Sequence, residues 1–82
     1  MSKDTEKHWN DRAREVLVGR RIVSAQYMTE KEARNHGWLK RPVMFTLDDG
    51  TVMYASSDDE GNDGGALFGS TKDGTDATLP VL

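Results

Sequence analysis

The chain has 82 residues, 14 acidic and 11 basic side chains, and a formal net charge of −3. A single domain of this size buries only about 60% of its unfolded surface, so one thin core over 1–82 is expected. No cysteine is present, which excludes disulfide staples and thiolate metal sites. The charged start Met1-Ser2-Lys3-Asp4-Thr5-Glu6 is no export signal, and no apolar run nears the ~20 residues of a membrane helix, so a cytoplasmic protein without membrane contact is expected.

In chain order, Trp9, Ala13, Val16 and Leu17 fall at i, i+4, i+7 and i+8, which predicts an amphipathic helix over 4–18 with Trp9 as a core anchor. Thr5 or Asp4 is its expected cap and Gly19 its left-handed terminator, with residues 1–3 frayed. From Arg20 to Met28 the period falls to two, which predicts a strand. Thr29-Glu30-Lys31-Glu32 has capping-box spacing and opens a short helix over 30–36, closed by Gly37 with Trp38 folding back.

Val43, Phe45 and Leu47 alternate, Asp49-Gly50 interrupts, and Val52 and Tyr54 alternate again. These residues predict a β-hairpin over 41–56 around a type I′ turn, with Pro42 at the strand's first position. An acidic loop follows over 57–65. Residues 70–78 read as a polar connector, and Leu79-Pro80-Val81-Leu82 as an edge strand docked on the domain. The expected architecture is α+β: a small antiparallel sheet, open to an SH3-like curl, covered by the N-terminal helix, with a short helix between strands.

The segment Ser57-Asp58-Asp59-Glu60-Gly61-Asn62-Asp63-Gly64-Gly65 concentrates four carboxylates, an amide and three glycines. Like charges this close need water, a cation or a basic partner, and the glycines open backbone angles closed to other residues. Together with Leu17-Val18-Gly19-Arg20-Arg21-Ile22, Tyr27-Met28-Thr29, Gly37-Trp38, Arg41-Pro42 and Leu47-Asp48-Asp49-Gly50-Thr51, it resembles a small family of uncharacterised bacterial and phage-type proteins. The likeness spans roughly residues 16–68, and its most specific part is the Asp-Asp-Glu-Gly-Asn core. It implies no activity, cofactor or site residue.

Several chemistries compete for this loop. Asp58, Glu60 and Asn62 place hard oxygen donors at alternate positions, as a Ca²⁺ or Mg²⁺ loop would, but the glycine is displaced by one and Gly69 stands where a bidentate Glu belongs. A phosphate nest of Gly61, Gly64 and Gly65 is opposed by the neighbouring carboxylates, and no P-loop spacing exists. His8 and His36 have no Ser or carboxylate partner at a telling spacing, so no catalytic residue is assigned and a non-enzymatic protein is expected.

Charge is divided along the chain. Residues 1–41 hold ten Lys/Arg and six Asp/Glu, a balance of +4, whereas residues 42–82 hold one Lys and eight Asp/Glu, a balance of −7. Nucleic-acid binding would use Arg12, Arg14, Arg20, Arg21, Arg34, Lys40 and Arg41 with Trp38 as a stacking surface, and the overall acidity opposes it. The preferred reading is an interaction or accessory domain. In it Asp58, Asp59, Glu60, Asn62 and Asp63, with Trp38, meet a basic protein surface or a second copy of the chain. The competing reading has Asp58 or Asp59 bonding a turn N–H, or pairing with Arg20, Arg21 or Arg41, and merely fixing the loop.

Overall fold

A computed structural model describes residues 2–82. Helix α1 spans Lys3–Leu17, strand β1 Ile22–Tyr27, helix α2 Glu30–Asn35, strand β2 Val43–Leu47 and strand β3 Val52–Tyr54. The three strands form one open antiparallel sheet in the order β1-β2-β3, so the fold is α+β.

Helix α1 starts earlier than its periodicity suggests. The Ser2 hydroxyl accepts the Thr5 N–H, so Ser2 is the cap in place of Thr5 or Asp4. Of residues 1–3, expected to fray, Ser2 and Lys3 belong to this helical start, and Met1 lies outside the described residues. Gly19 takes φ of 77° just beyond the Val18 cap and ends the helix as expected.

Two expectations about α1 are overturned. The helix has no buried residue, and Trp9 is 58% exposed instead of buried. Val16 alone on the apolar stripe is half-buried, beside Arg20 and Met53. The stripe is too short, and polar in its first turn, to hold the helix down on its own sheet.

What covers the sheet is local. Alternation along β2 sends Met44 to one face and Val43, Phe45 and Leu47 to the other. Met44 packs against Met28, Ala33 and Trp38, the core contributed by α2 and its flanks. On the opposite face Leu67 shares a small cleft with Val43, Phe45, Met53 and Ala55. Val43 and Leu47 are buried, and Pro42 is fully enclosed just before β2, where its carbonyl accepts the Met28 N–H at 2.9 Å.

Helix α2 forms as its sequence dictates. Thr29 and Glu32 exchange both bonds of the capping box, at 3.1 and 2.9 Å. At its end the Gly37 N–H reaches Arg34 O at 2.9 Å and the Trp38 N–H reaches Ala33 O at 2.8 Å. This Schellman closure needs the left-handed Gly37, φ 75°, and it turns Trp38 back into the core.

The β2–β3 turn differs from expectation. A type I′ turn demands positive φ at both central residues, and only Gly50 has it, at 89°. The Gly50 N–H bonds Leu47 O at 3.0 Å and the Leu47 N–H bonds Thr51 O at 2.8 Å, the three-residue turn that closes on a left-handed glycine. The Asp49 carboxylate accepts the Thr51 N–H at 3.0 Å and holds Asp48 and Asp49 out of the left-handed region.

The polar connector is an irregular hairpin. Leu67 and Leu79 exchange two backbone bonds, Ala77 N–H reaches Gly69 O at 2.8 Å, and Thr71 N–H reaches Thr75 O at 2.7 Å. Asp73 accepts the Thr71 hydroxyl, closing the tip. The C-terminal residues dock without becoming a strand: Arg41 and Leu82 exchange backbone bonds at 3.0 and 2.9 Å. Pro80, which has no N–H, interrupts any longer ladder.

Candidate functional site

The acidic loop leaves β3 and returns at once. Ser56 and Gly64 form an antiparallel bridge, Gly65 N–H donates to Ala55 O at 3.0 Å, and Ser57 N–H to Asp63 O at 2.9 Å. Gly64 and Gly65 serve this closure by their size rather than by left-handed angles. A Cβ on Gly64 would lie 2.6 Å from the Lys40 carbonyl oxygen, and one on Gly65 2.7 Å from Ser56 carbonyl atoms. Gly61 is the residue with positive φ, 74°.

Two of the four carboxylates turn inward. Asp63 Oδ1 accepts three backbone N–H groups, from Gly64 at 2.8 Å, Lys40 at 2.9 Å and Leu39 at 3.1 Å. It therefore ties the loop to the segment that leads from α2 to β2. Asp58 organises the tip: its Oδ1 accepts Glu60 N–H at 3.0 Å and Asn62 N–H at 3.2 Å, and its Oδ2 accepts the Asn62 side-chain amide at 2.8 Å. These donors favour the ionised form. The Asn62 side-chain amide foremost, then the Asn62 backbone N–H, holds the Asp58 carboxyl below its ordinary value. The Lys40 N–H foremost does the same for Asp63.

Trp38 closes the other side of the loop. Its indole N–H donates to Gly61 O at 2.7 Å, and the ring is 6% exposed. His36 stacks on it at 4.8 Å between ring centroids, and Tyr54 meets it edge-on at 5.8 Å. The expected partner-contacting or base-stacking role of Trp38 is thus corrected: the ring is core, enclosed by the loop it was expected to assist.

The expected site therefore divides. Asp58, Asn62, Asp63 and Trp38 are joined into a structural clamp, while Asp59 and Glu60 remain exposed at its tip. The cation reading loses its geometry, because Asp58 spends its oxygens on Asn62 and Glu60. Among the described residues, no group of three or more His, Cys, Asp or Glu side chains is placed to hold a metal. The nest reading fails likewise, since the Gly64 and Gly65 N–H groups are consumed by Asp63 and Ala55.

The basic residues expected to meet nucleic acid are partly spent within the chain. Arg12 pairs with Glu15, Arg14 with Asp11, Arg20 with Asp49 and Arg34 with Glu30. Arg41 donates to Met28 O at 2.8 Å. No described helix is long and apolar enough to cross a membrane.

Trp9 and Leu17, which the helical period placed on a core-facing stripe, are instead exposed, and so are Val18, Ile22 and Val23 between α1 and the start of β1. The amphipathic period that predicted the helix identified the residues, but it could not say whether their cover lies in the same chain.

Fold and clamp together define a small α+β domain whose acidic loop is an internal fastening and whose N-terminal apolar surface is uncovered. Comparison with protein-family models, with curated proteins and with solved structures returns no match to this chain.

Proposed function

We propose that this chain is a non-enzymatic interaction module that docks a protein partner through the apolar stripe of α1. The supporting observation is surface area. The chain exposes 6403 Å², whereas a compact monomer of its mass exposes about 4,900 Å². The excess of about 1,500 Å² exceeds the ~800 Å² that each partner buries in a standard interface. Trp9 is the natural anchor, since a helix laid in a groove is read through residues at i, i+4 and i+7, and aromatic residues dominate such contacts.

Affinity capture with the wild-type chain and with Trp9→Asp tests this. Proteins retained by the wild type are expected to be lost with the variant, whose thermal midpoint stays unchanged because residue 9 touches no core. Equal capture by both overturns the reading.

A second reading keeps the acidic loop as the recognition element, with Asp59 and Glu60 facing a basic surface. It is favoured by their outward placement on a clamped frame, which spares the partner the cost of ordering them. Asp59→Asn with Glu60→Gln is expected to weaken a basic partner's capture without loss of stability. Unchanged capture removes it.

A further inference from the structure

We infer that the cleft between α2 and the C-terminal residues binds a carboxylate carried on an apolar body, with Arg41 as its anchor. The inference is independent of the proposed role of α1. The cleft has a volume of about 360 Å³, and Glu30, Arg34, Trp38, Leu39, Arg41 and Leu82 line it. That volume lies within the range of about 300–1,000 Å³ usual for small-ligand sites.

Arg41 is held in place by the fold. Its backbone exchanges bonds with Leu82 at 3.0 and 2.9 Å, and its Nε–H donates to Met28 O at 2.8 Å. The residue is half-buried, yet none of the ion pairs among the described residues includes it. A guanidinium stays charged and carries its N–H donors in a rigid plane, so fixing Nε fixes the direction of both Nη groups. Such a fork matches the two oxygens of one carboxylate.

The remaining lining selects the charge and the body of the ligand. Arg34 adds a second cation, and Glu30, 3.9 Å from it, is the acidic side chain of the cleft. Two cations against one anion leave a single positive charge, which matches a monoanion, while Glu30 repels a more highly charged phosphate. Leu39 and Leu82 are 91% and 59% exposed on the same cleft, apolar surface that an alkyl or aliphatic body would take out of water.

A carboxylate of this kind is offered by a fatty acid or by the C-terminus of an apolar peptide, and titration with octanoate and with acetyl-valyl-leucine distinguishes them. In ¹H–¹⁵N spectra, saturable shifts are expected at the Trp38 indole and the Leu39 amide, and the tighter of the two acids names the source. The Trp9 indole, on α1, is expected to stay in place. Octanamide, which keeps the body without the charge, and Arg41→Gln, which keeps the fold but loses the fork, are each expected to weaken binding at least about tenfold. Arg34→Gln, at an exposed position, is expected to weaken it about two- to fivefold with an unchanged thermal midpoint.

The absence of saturable shifts with both acids overturns the proposal, as do shifts centred on Trp9 or equal affinity for octanoate and octanamide. Unchanged affinity in a folded Arg41→Gln overturns it too, and if that variant loses the fold, unchanged affinity in Arg34→Gln does so instead. Trp9→Asp is expected to bind the acids as the wild type does. Loss of partner capture with that variant and loss of acid binding with Arg41→Gln therefore separate the two surfaces.

Discussion

At the scale of single residues, the acidic loop shows that identical side chains four positions apart can have opposite jobs. Asp63 accepts three backbone N–H groups and Asp59 accepts none, so neutral changes at the two positions should part company. Asp63→Ala is expected to lower the thermal midpoint by several degrees, because three donors lose a charged acceptor. Asp59→Asn is expected to leave it unchanged, and calorimetry on the pair decides. Gly64→Ala is a sharper case. Its Cβ would meet the Lys40 carbonyl oxygen at 2.6 Å and Pro42 Cδ at 2.7 Å, both fixed by the chain. Overpacking of this kind costs about 1–3 kcal/mol, measurable by urea denaturation; a cost near zero would mean that the loop can lift from β2.

The same carboxylates set a pH dependence. Asp58 and Asp63 are held below the ordinary aspartate value of 3.8 in the folded chain. A depressed folded value means that the unfolded chain takes up protons first. The stabilisation is therefore present above pH 3.8 and is lost as pH falls through the lower folded values. Thermal midpoints are expected to be level near neutrality and to fall below about pH 4, with a shallower fall in Asp63→Asn. An equally steep fall in the variant would place the acid sensitivity elsewhere.

At the scale of elements, what could be read from the sequence was what neighbours within a few residues decide. The Thr29–Glu32 box, the Gly37 closure and the alternation in β2 and β3 all formed where local chemistry put them. Thr29→Ala is accordingly expected to cost about 1 kcal/mol, the usual worth of a helix cap. Misreadings arose where distance along the chain was large. Asp63 reaches Lys40 across 23 residues, and nothing in the spacing of acids in the loop announces those donors. Trp38 was singled out as an aromatic near basic residues, yet its partner, Gly61 O, is equally remote. The turn between β2 and β3 failed more narrowly. Asp-Gly suits two turn geometries, and the Asp49–Thr51 bond selects the one with a single left-handed residue.

At the scale of the whole molecule, the structure is less closed than its length requires. The radius of gyration is 14.3 Å, against about 12 Å for a compact chain of this length, and α1, which buries no residue and holds only Val16 half-buried beside Met53, accounts for the difference in kind. A free helix of 15 residues is marginal in water even with its cap and its Lys7–Asp11 and Arg12–Glu15 pairs, because such exposed pairs add only about 0.3–0.5 kcal/mol each. The sheet, by contrast, is fastened by Trp38, the Asp63 clamp and the capped α2. Helix and sheet should then melt separately in the unpartnered chain, contrary to the all-or-none unfolding of most small domains. Trp9→Phe leaves Trp38 as the single tryptophan reporting on the sheet, while circular dichroism at 222 nm reports chiefly on α1. Helical signal is expected to decline well below the temperature at which Trp38 emission shifts to the red, and a bound partner is expected to bring the two curves together by stabilising α1. Coincident curves in the free chain would mean that α1 is held by contacts with the sheet, and the N-terminal apolar surface would then have its cover at home.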